Sequence, residues 1–260
     1  MLTKVVILAG GLGTRLEEET VVTPKPLVTI GEKPMLWHIM KVFYHYGYKE
    51  FIICLGYKGY LIKEYFAHYL LHNSDVTIDL SGDGEITTHN KNFDPWKVTL
   101  VDTGLNTQTG GRVQRIKPYV GDEPFLLTYG DGVGDIDIGK LVDFHFSHGK
   151  IATVTGVKPP GKFGVLDVDA TNRVHRFSEK PVEGEAWING GFFVLSPRVF
   201  EYLTYGDDMP WEKAPLERLA SDNELMVYKH AGFWKCMDIM RDRRELENLW
   251  QSPQPPWKVW

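Results

Sequence analysis

VVILAGGLGTRL, residues 5–16, joins a short apolar run to three glycines within four positions and then to a threonine and an arginine. A continuous apolar run is typical of a strand that is covered on both faces of a sheet. Glycines after such a strand leave backbone N–H groups free to line a concave anion site, and Arg15 adds a planar fork of donors that suits phosphate oxygens. The stretch therefore indicates a parallel sheet whose first strand runs into an anion-binding loop.

Two common phosphate-binding patterns do not fit this loop. The dinucleotide fingerprint G-x-G-x-x-G would need a small residue where Leu16 stands, and no G-x-x-x-x-G-K-[ST] pattern can be drawn through the stretch. Taken alone, GGLG could equally be a tight turn after a strand. Further along, Lys25 lies between Pro24 and Pro26, which restrict the backbone on both sides and fix where the ammonium is presented.

Apolar runs alternate with helical patterns through the first half of the chain. The spacing predicts strands at 5–9, 51–56, 98–103 and 125–131 and helices at 34–47 and 60–72. The second half is richer in predicted strands, including 152–157 and 187–195, while 81–95 reads as an exposed loop or small hairpin. We predict a Rossmann-like α/β fold with a mixed, mainly parallel sheet flanked by helices and a β-rich elaboration. Such sheets bind ligands at the carboxyl ends of their strands.

Composition narrows the class of function. The 260 residues are 43% hydrophobic and 24% charged, with a formal net charge of −5, which argues against a nucleic-acid partner because such binding needs a basic face. No apolar segment approaches the length that a membrane span requires. With only Cys54 and Cys236, a reducing, cytoplasmic location is expected.

The motif LAGGLGTRL at 8–16, followed by PKPLV at 24–28 and GEKPMLWHIM at 31–40, resembles the N-terminal signature of sugar-1-phosphate nucleotidylyltransferases. The resemblance implies that the loop binds a nucleoside triphosphate through backbone amides. It also implies two catalytic cations: Arg15, which would contact the phosphates, and Lys25, which would stabilise charge at the reacting phosphate.

Two aspartates are implied as ligands of Mg²⁺. YGDG at 129–132 ends a predicted strand, and GDG alone would be read as a plain turn. The resemblance instead makes Asp131 a catalytic residue and the first metal ligand, and places the second ligand at Asp238, with Asp242 as a further candidate for that position. Two carboxylates together with phosphate oxygens and water suit a hard, six-coordinate Mg²⁺.

FSEKP at 177–181 and WINGGFF at 187–193 resemble the sugar-phosphate elements of the same family. In isolation, EKP could be a charged loop and NGG a hairpin turn. The resemblance implies that Glu179 accepts hydrogen bonds from sugar hydroxyls and that Lys180 holds the sugar phosphate. The full implied sugar-phosphate set is Tyr129, Glu179, Lys180, Asn189 and Gly190.

DTGLNTQTGGR at 102–112 resembles the members of this family that use CTP and glucose 1-phosphate, and the likeness extends over nearly the whole chain. It implies those two substrates, Mg²⁺ as cofactor, and Thr107 and Arg112 as nucleotide contacts, although Arg112 could also be a solvated arginine at the start of a helix. The implied nucleotide-binding set is Leu8, Ala9, Gly10, Gly11, Gly13, Thr14, Arg15, Lys25, Thr107, Arg112 and Gly130.

The resemblance leaves two alternatives open: an enzyme that uses dTTP or UTP with glucose 1-phosphate, and a nucleotide-sugar-binding regulatory protein without catalysis. We predict one domain over 1–260, with the nucleotide held by about 1–130, the sugar phosphate by about 131–240, and a C-terminal helix and tail at 241–260. The family points to a homo-oligomer, either a trimer or a hexamer, with no nucleic-acid or membrane partner.

Overall fold

A computed structural model of the chain describes residues 2–13, 16, 20, 22–82, 84–90, 93–158, 165–168, 174–178, 187–204 and 206–260. In chain order its strands are β1 (Lys4–Leu8), β2 (Thr29–Ile30), β3 (Lys33–Pro34), β4 (Glu50–Leu55), β5 (Asp75–Asp79), β6 (Glu85–His89), β7 (Lys97–Asp102), β8 (Phe125–Tyr129), β9 (Gly132–Gly134), β10 (Ala152–Val157), β11 (Val165–Val168), β12 (Val174–Ser178), β13 (Ile188–Leu195), β14 (Leu225–His230) and β15 (Trp234–Cys236). Its α-helices are α1 (Met35–His45), α2 (Gly59–Ala67), α3 (Tyr69–His72), α4 (Thr109–Arg115), α5 (Lys117–Val120), α6 (Ile138–His148), α7 (Ala214–Ser221) and α8 (Met240–Trp250), and Lys25–Leu27 and Pro197–Tyr202 are 3-10 helices.

Seven strands form one central sheet in the order β14-β10-β13-β8-β1-β4-β7. β1 is an inner strand of this sheet and runs parallel to both neighbours, β4 and β8. Strand β13 is antiparallel to β8 and β10, whereas β14 is parallel to β10 and β7 is parallel to β4. The prediction of a mixed, mainly parallel sheet is confirmed, and strands from both predicted halves of the chain belong to it.

Successive side chains of β1 pack into two different apolar clusters, one on each face of the sheet. Val5 and Ile7 belong to one apolar cluster, which includes α1 and the buried face of α8. Val6 and Leu8 point the other way, into a second cluster with residues of α4 and α7. Because successive side chains of a strand face opposite sides, a strand between two helical layers must be apolar at every position.

The structure adds detail at three segments of the chain. Helix 60–72 is interrupted at His68, which ends α2 and precedes α3; the interruption brings Tyr69 against the ring of Trp96. Within the predicted 81–95 segment, Glu85–His89 forms β6, which pairs antiparallel with β5 in an exposed hairpin, as predicted. In the C-terminal tail, Trp257 is fully buried.

Among the described residues, every helix is too short or too polar to serve as a membrane span.

Candidate active site

The glycine loop after β1 lies beside the ends of two neighbouring strands. The N–H of Gly130 donates to the carbonyl of Leu8 at 3.0 Å, and the N–H of Tyr57 donates to the carbonyl of Gly10 at 3.2 Å. A Cβ at Gly10 would come within 2.2 Å of the guanidinium of Arg112, and Gly13 has a φ of +66°. Glycine is therefore required at both positions, by close packing at one and by the backbone conformation at the other.

Lys25 lies between the two predicted metal ligands. Its Nζ is 2.6 Å from Oδ2 of Asp131 and 2.8 Å from Oδ1 of Asp238. Burial alone would lower the pKa of Lys25, but the charges and hydrogen bonds of Asp131 and Asp238 outweigh it and raise the pKa above the usual value. The ammonium is therefore charged at neutral pH, and two carboxylates from distant parts of the chain converge on it.

A short ladder sets the distance between these carboxylates. Strand β9, which follows Asp131, pairs antiparallel with β15, which precedes Asp238. The ladder is continued by the N–H of Met237, which donates to the carbonyl of Asp131 at 2.8 Å. Prolines on both sides of Lys25 and the 3-10 turn of Lys25–Leu27 restrict the backbone that presents the lysine to these carboxylates.

A cavity of about 380 Å³ opens over these groups. Of the sequence-predicted residues it is lined by Leu8, Ala9, Gly10, Gly11, Gly13, Lys25, Thr107, Arg112, Tyr129, Gly130, Asp131 and Asp238. Four further lining residues were not predicted from the sequence, namely Pro26, Gln108, Thr109 and Glu212. Residues predicted for the nucleotide, the sugar phosphate and the metal thus border the same space.

Arg112 is 4% exposed and its guanidinium is occupied by protein acceptors. It donates to the carbonyls of Gly10, Leu55, Gly104 and Leu105 and to the hydroxyl of Thr103. These acceptors follow three neighbouring parallel strands. Arg112 therefore holds the glycine loop against the ends of β4 and β7, and its predicted contact with a nucleotide stays a prediction.

Tyr129 connects the two sides of the cavity. Asn189 Nδ2 donates to its hydroxyl at 3.3 Å, and the hydroxyl is in turn bonded to the carboxylate of Glu212. Burial, and then the charge of Glu212, raise the pKa of Tyr129, so the phenol keeps its proton. Glu212 also accepts from the hydroxyl of Thr109 at 2.7 Å. This carboxylate can accept a hydrogen bond from a substrate hydroxyl or amine, and no local pattern in the sequence marks it.

The remaining predicted site residues either do not line the cavity or lie outside the residues that the structure describes. Gly190 is buried beside Val157, and its carbonyl accepts from the indole N–H of Trp234 at 2.7 Å; neither it nor Asn189 is among the residues that line the cavity. Thr14, Arg15, Glu179 and Lys180 lie outside the described residues.

Cys236 lies close to the acidic pair, with Sγ 3.8 Å from Oδ2 of Asp238. Burial, and then the charges of Asp238, Asp131 and Asp242, raise the pKa of this thiol to about 11. It is therefore protonated at neutral pH, and this environment does not generate the thiolate that a cysteine nucleophile requires.

Comparison with known proteins identifies the family. The family model described as "Nucleotidyl transferase" matches residues 4–238. This chain belongs to the nucleotidyl transferase family. A relative from Salmonella typhi, glucose-1-phosphate cytidylyltransferase, is 56% identical over 258 residues, which cover 99% of each chain. A probable glucose-1-phosphate cytidylyltransferase of Bacillus subtilis is 47% identical over 257 residues, covering 99% of this chain and 100% of the relative.

Solved structures support the nucleotidyltransferase fold of this family member. A putative glucose-1-phosphate thymidylyltransferase from Bacillus anthracis superposes with a TM-score of 0.71, covering 97% of this chain and 96% of the other, at 18% identity. That likeness bears on the fold alone. The mixed, mostly parallel sheet flanked by helices has the nucleotide-diphospho-sugar transferase fold.

Proposed function

We propose that this chain transfers a cytidylyl group from CTP to α-D-glucose 1-phosphate, forming CDP-glucose and pyrophosphate. The convergence of Lys25, Asp131 and Asp238 beside the glycine loop is the observation that carries the reaction class. The choice of substrates rests on the 56% identity to a glucose-1-phosphate cytidylyltransferase over 99% of both chains.

In this reaction a phosphate oxygen of glucose 1-phosphate attacks the α-phosphorus of CTP. One P–O bond forms to the sugar phosphate, and the bond between the α-phosphorus and the bridging oxygen breaks to release pyrophosphate. The attacking oxygen is already anionic, so the reaction needs no general base. The task of the protein is to hold two anions that repel each other and to stabilise charge at the transferring phosphorus.

Lys25 and the loop amides perform that task in the proposal. The two carboxylates raise the pKa of Lys25, so the ammonium that borders the cavity stays charged at neutral pH. Gly10, Gly11 and Gly13 border the cavity without side chains that would keep a triphosphate away from the backbone. On the other side of the cavity, the hydroxyl of Tyr129 and the carboxylate of Glu212 offer hydrogen-bond partners that suit a sugar.

The residues present also fit Mg²⁺. Asp131 and Asp238 each have one oxygen within 2.8 Å of the Lys25 ammonium, so the two carboxylates lie close enough together to share a metal ion. Within the described residues there is no group of three or more potential ligands, so phosphate oxygens and water would complete the coordination. When bound there, Mg²⁺ would supply positive charge to the phosphate oxygens.

An activity matrix tests the proposal. The purified protein is assayed for pyrophosphate release with CTP, UTP, dTTP, ATP and GTP against glucose 1-phosphate and mannose 1-phosphate, with Mg²⁺ and with EDTA. We expect the highest kcat/KM for CTP with glucose 1-phosphate and loss of activity in EDTA. Preference for dTTP or UTP would replace the proposed donor, and binding without turnover for every pair would indicate a regulatory protein.

We further propose that the enzyme works in the cytoplasm as a homo-oligomer. The β5–β6 hairpin supports self-association, because Ile78, Leu80 and Ile86 are 50%, 85% and 48% exposed and an isolated two-stranded hairpin is marginally stable in water. Light scattering coupled to size exclusion tests the assembly: a mass of one chain at micromolar concentration would contradict it.

A further inference from the structure

Asp242 lies behind the acidic pair rather than in it. Its side chain is only 5% exposed, and it does not line the cavity. The sequence offered Asp242 as an alternative to Asp238 as a metal ligand. Because its carboxylate is buried, it bonds to groups of the protein instead.

The carboxylate of Asp242 holds the backbone of the turn that carries Asp238. Its Oδ2 accepts hydrogen bonds from the N–H groups of Asp238 and Ile239, each at 3.1 Å. Hydrogen bonds to an ionised acceptor are stronger than those between neutral groups. Since α8 begins at Met240, these two N–H groups lie just before the helix and outside its backbone hydrogen-bond pattern.

Lys235 completes the arrangement from the other side. Its Nζ lies 3.5 Å from Oδ1 of Asp242 and also bonds to Glu245. Lys235 belongs to β15, which is paired with β9, the strand that follows Asp131. The carboxylate of Asp242 is thus fixed to the same two-stranded ladder that positions Asp131.

We propose that Asp242 is a positioning residue, which holds the carboxylate of Asp238 at the distance from Asp131 that metal binding requires by accepting the N–H groups of Asp238 and Ile239. This inference rests on the proposed function, because it assigns Asp238 to the metal. Asp242 itself touches neither metal nor substrate. Residues that orient metal ligands typically change metal affinity or activity by about 10- to 100-fold when they are replaced.

Two conservative variants separate position from charge. Asp242→Asn retains an acceptor oxygen at the same distance from the backbone but loses the charge that faces Lys235. Asp242→Glu retains the charge but moves the acceptor away from the two N–H groups. A positioning role through these hydrogen bonds requires Asp242→Asn to be the milder change, whereas a purely ionic role requires the reverse.

The measurement is the dissociation constant of CTP by isothermal titration calorimetry, in Mn²⁺ and in EDTA, without glucose 1-phosphate. The dissociation constant in EDTA divided by that in Mn²⁺ measures how much the metal strengthens CTP binding. A general loss of structure would change both constants together and leave this ratio unchanged. For Asp242→Glu we expect this ratio to fall by about 10- to 100-fold, with a smaller fall for Asp242→Asn. Equal ratios in all three proteins, or a larger fall for Asp242→Asn, would overturn the proposal.

Two reference variants complete the experiment. Leu246→Ala removes a fully buried side chain from the same helix, so it should lower the melting temperature while leaving the ratio unchanged; a fall in its ratio as large as that of Asp242→Glu would overturn the positioning role. Asp238→Asn should abolish the metal-dependent strengthening of CTP binding, so that its ratio approaches one. If Asp238→Asn leaves the ratio intact, the metal assignment in the proposed function fails and the inference fails with it. A loss in Asp238→Asn with no loss in Asp242→Glu overturns the inference alone.

Discussion

The ammonium of Lys25 lies 2.6 Å from Oδ2 of Asp131, although 106 positions separate the two residues in the chain. A cation held this closely by two carboxylates is fixed in position before any substrate arrives. Fixed charges stabilise a developing charge better than mobile ones, because they need no reorganisation at the moment of reaction. The three residues also contribute to stability, since Asp131 and Asp238 would repel each other without the lysine.

Replacing Lys25 with alanine should lower kcat/KM by about 100- to 1000-fold, as removal of a preorganised electrostatic donor does. Lys41→Ala is the matched control, because Lys41 forms a comparable half-buried pair with Asp94 at 2.7 Å and lies outside the cavity. Steady-state rates at saturating Mg²⁺ give the comparison. Equal losses in the two variants would mean that ion pairing in general, rather than the position of Lys25, determines the rate.

Replacing Arg112 with lysine should destabilise the protein by about 1–3 kcal/mol, because buried carbonyls that now share one guanidinium would lose donors. The Michaelis constant for CTP should rise as well, since the carbonyl of Gly10 is one of those acceptors. Urea unfolding and initial rates measure the two effects.

Arg115→Lys is the control for this substitution. Arg115 ends the same helix, but its pair with Asp207 is exposed, and exposed pairs contribute about 0–1 kcal/mol. If both variants unfold at the same urea concentration, the network around Arg112 does not hold the loop.

Stability should fall below neutral pH because of His145, which is buried in α6 beside Thr153. Burial, assisted by His148, lowers the pKa of His145 to about 4. The unfolded chain has the ordinary value of about 6.5, so the unfolded state binds more protons between these two values. Stability from this residue is complete above about pH 6.5 and is lost as the pH falls toward 4.

For His145 alone, the loss between pH 7 and pH 5 amounts to about 2 kcal/mol. Urea unfolding of the parent and of His145→Gln at both pH values measures it. The variant should be less stable at pH 7 and should lose less on acidification. A variant with the same pH dependence as the parent would show that other groups account for the change.

Strands β1, β4 and β8 were predictable because each is a mostly apolar run followed closely by glycine or polar residues. The edge strand β14 was not predicted, because it alternates with exposed and polar residues. The glycine loop and Lys25 were predictable for a similar reason, because their chemistry is visible in a short motif. The pairing of β9 with β15 was not, since each strand has three residues and their match depends on the completed fold.

Glu212 was missed for the same physical reason. Its place at the cavity depends on Thr109, which lies 103 positions earlier, and a glutamate in an exposed segment carries no local signal. Arg112 illustrates the opposite case. The sequence left a nucleotide contact and a solvated arginine as its two readings, whereas the structure buries the guanidinium in the space that Gly10 leaves free.

Trp257 connects the C-terminal tail to the segment that presents Lys25. Its ring is fully buried and stacks on Trp250 and Phe233. Trp250 in turn packs so closely on Gly31 that a Cβ there would lie 2.4 Å from its Nε1. The N–H of Gly31 donates to Glu247 of the same helix at 2.8 Å. The tail therefore holds α8 against the turn that joins β2 and β3, a few residues after Lys25.

Trp257→Ala should destabilise the protein by about 3–5 kcal/mol, as other deletions of a large buried aromatic side chain do. Activity at a temperature well below unfolding should fall too, because α8 would no longer hold the β2–β3 turn in place. Gln254→Ala, an exposed change in the same tail, should alter neither property. Calorimetric melting and kcat/KM are measured on the same samples. If Trp257→Ala melts early but keeps full activity in the cold, the tail stabilises the fold without positioning Lys25.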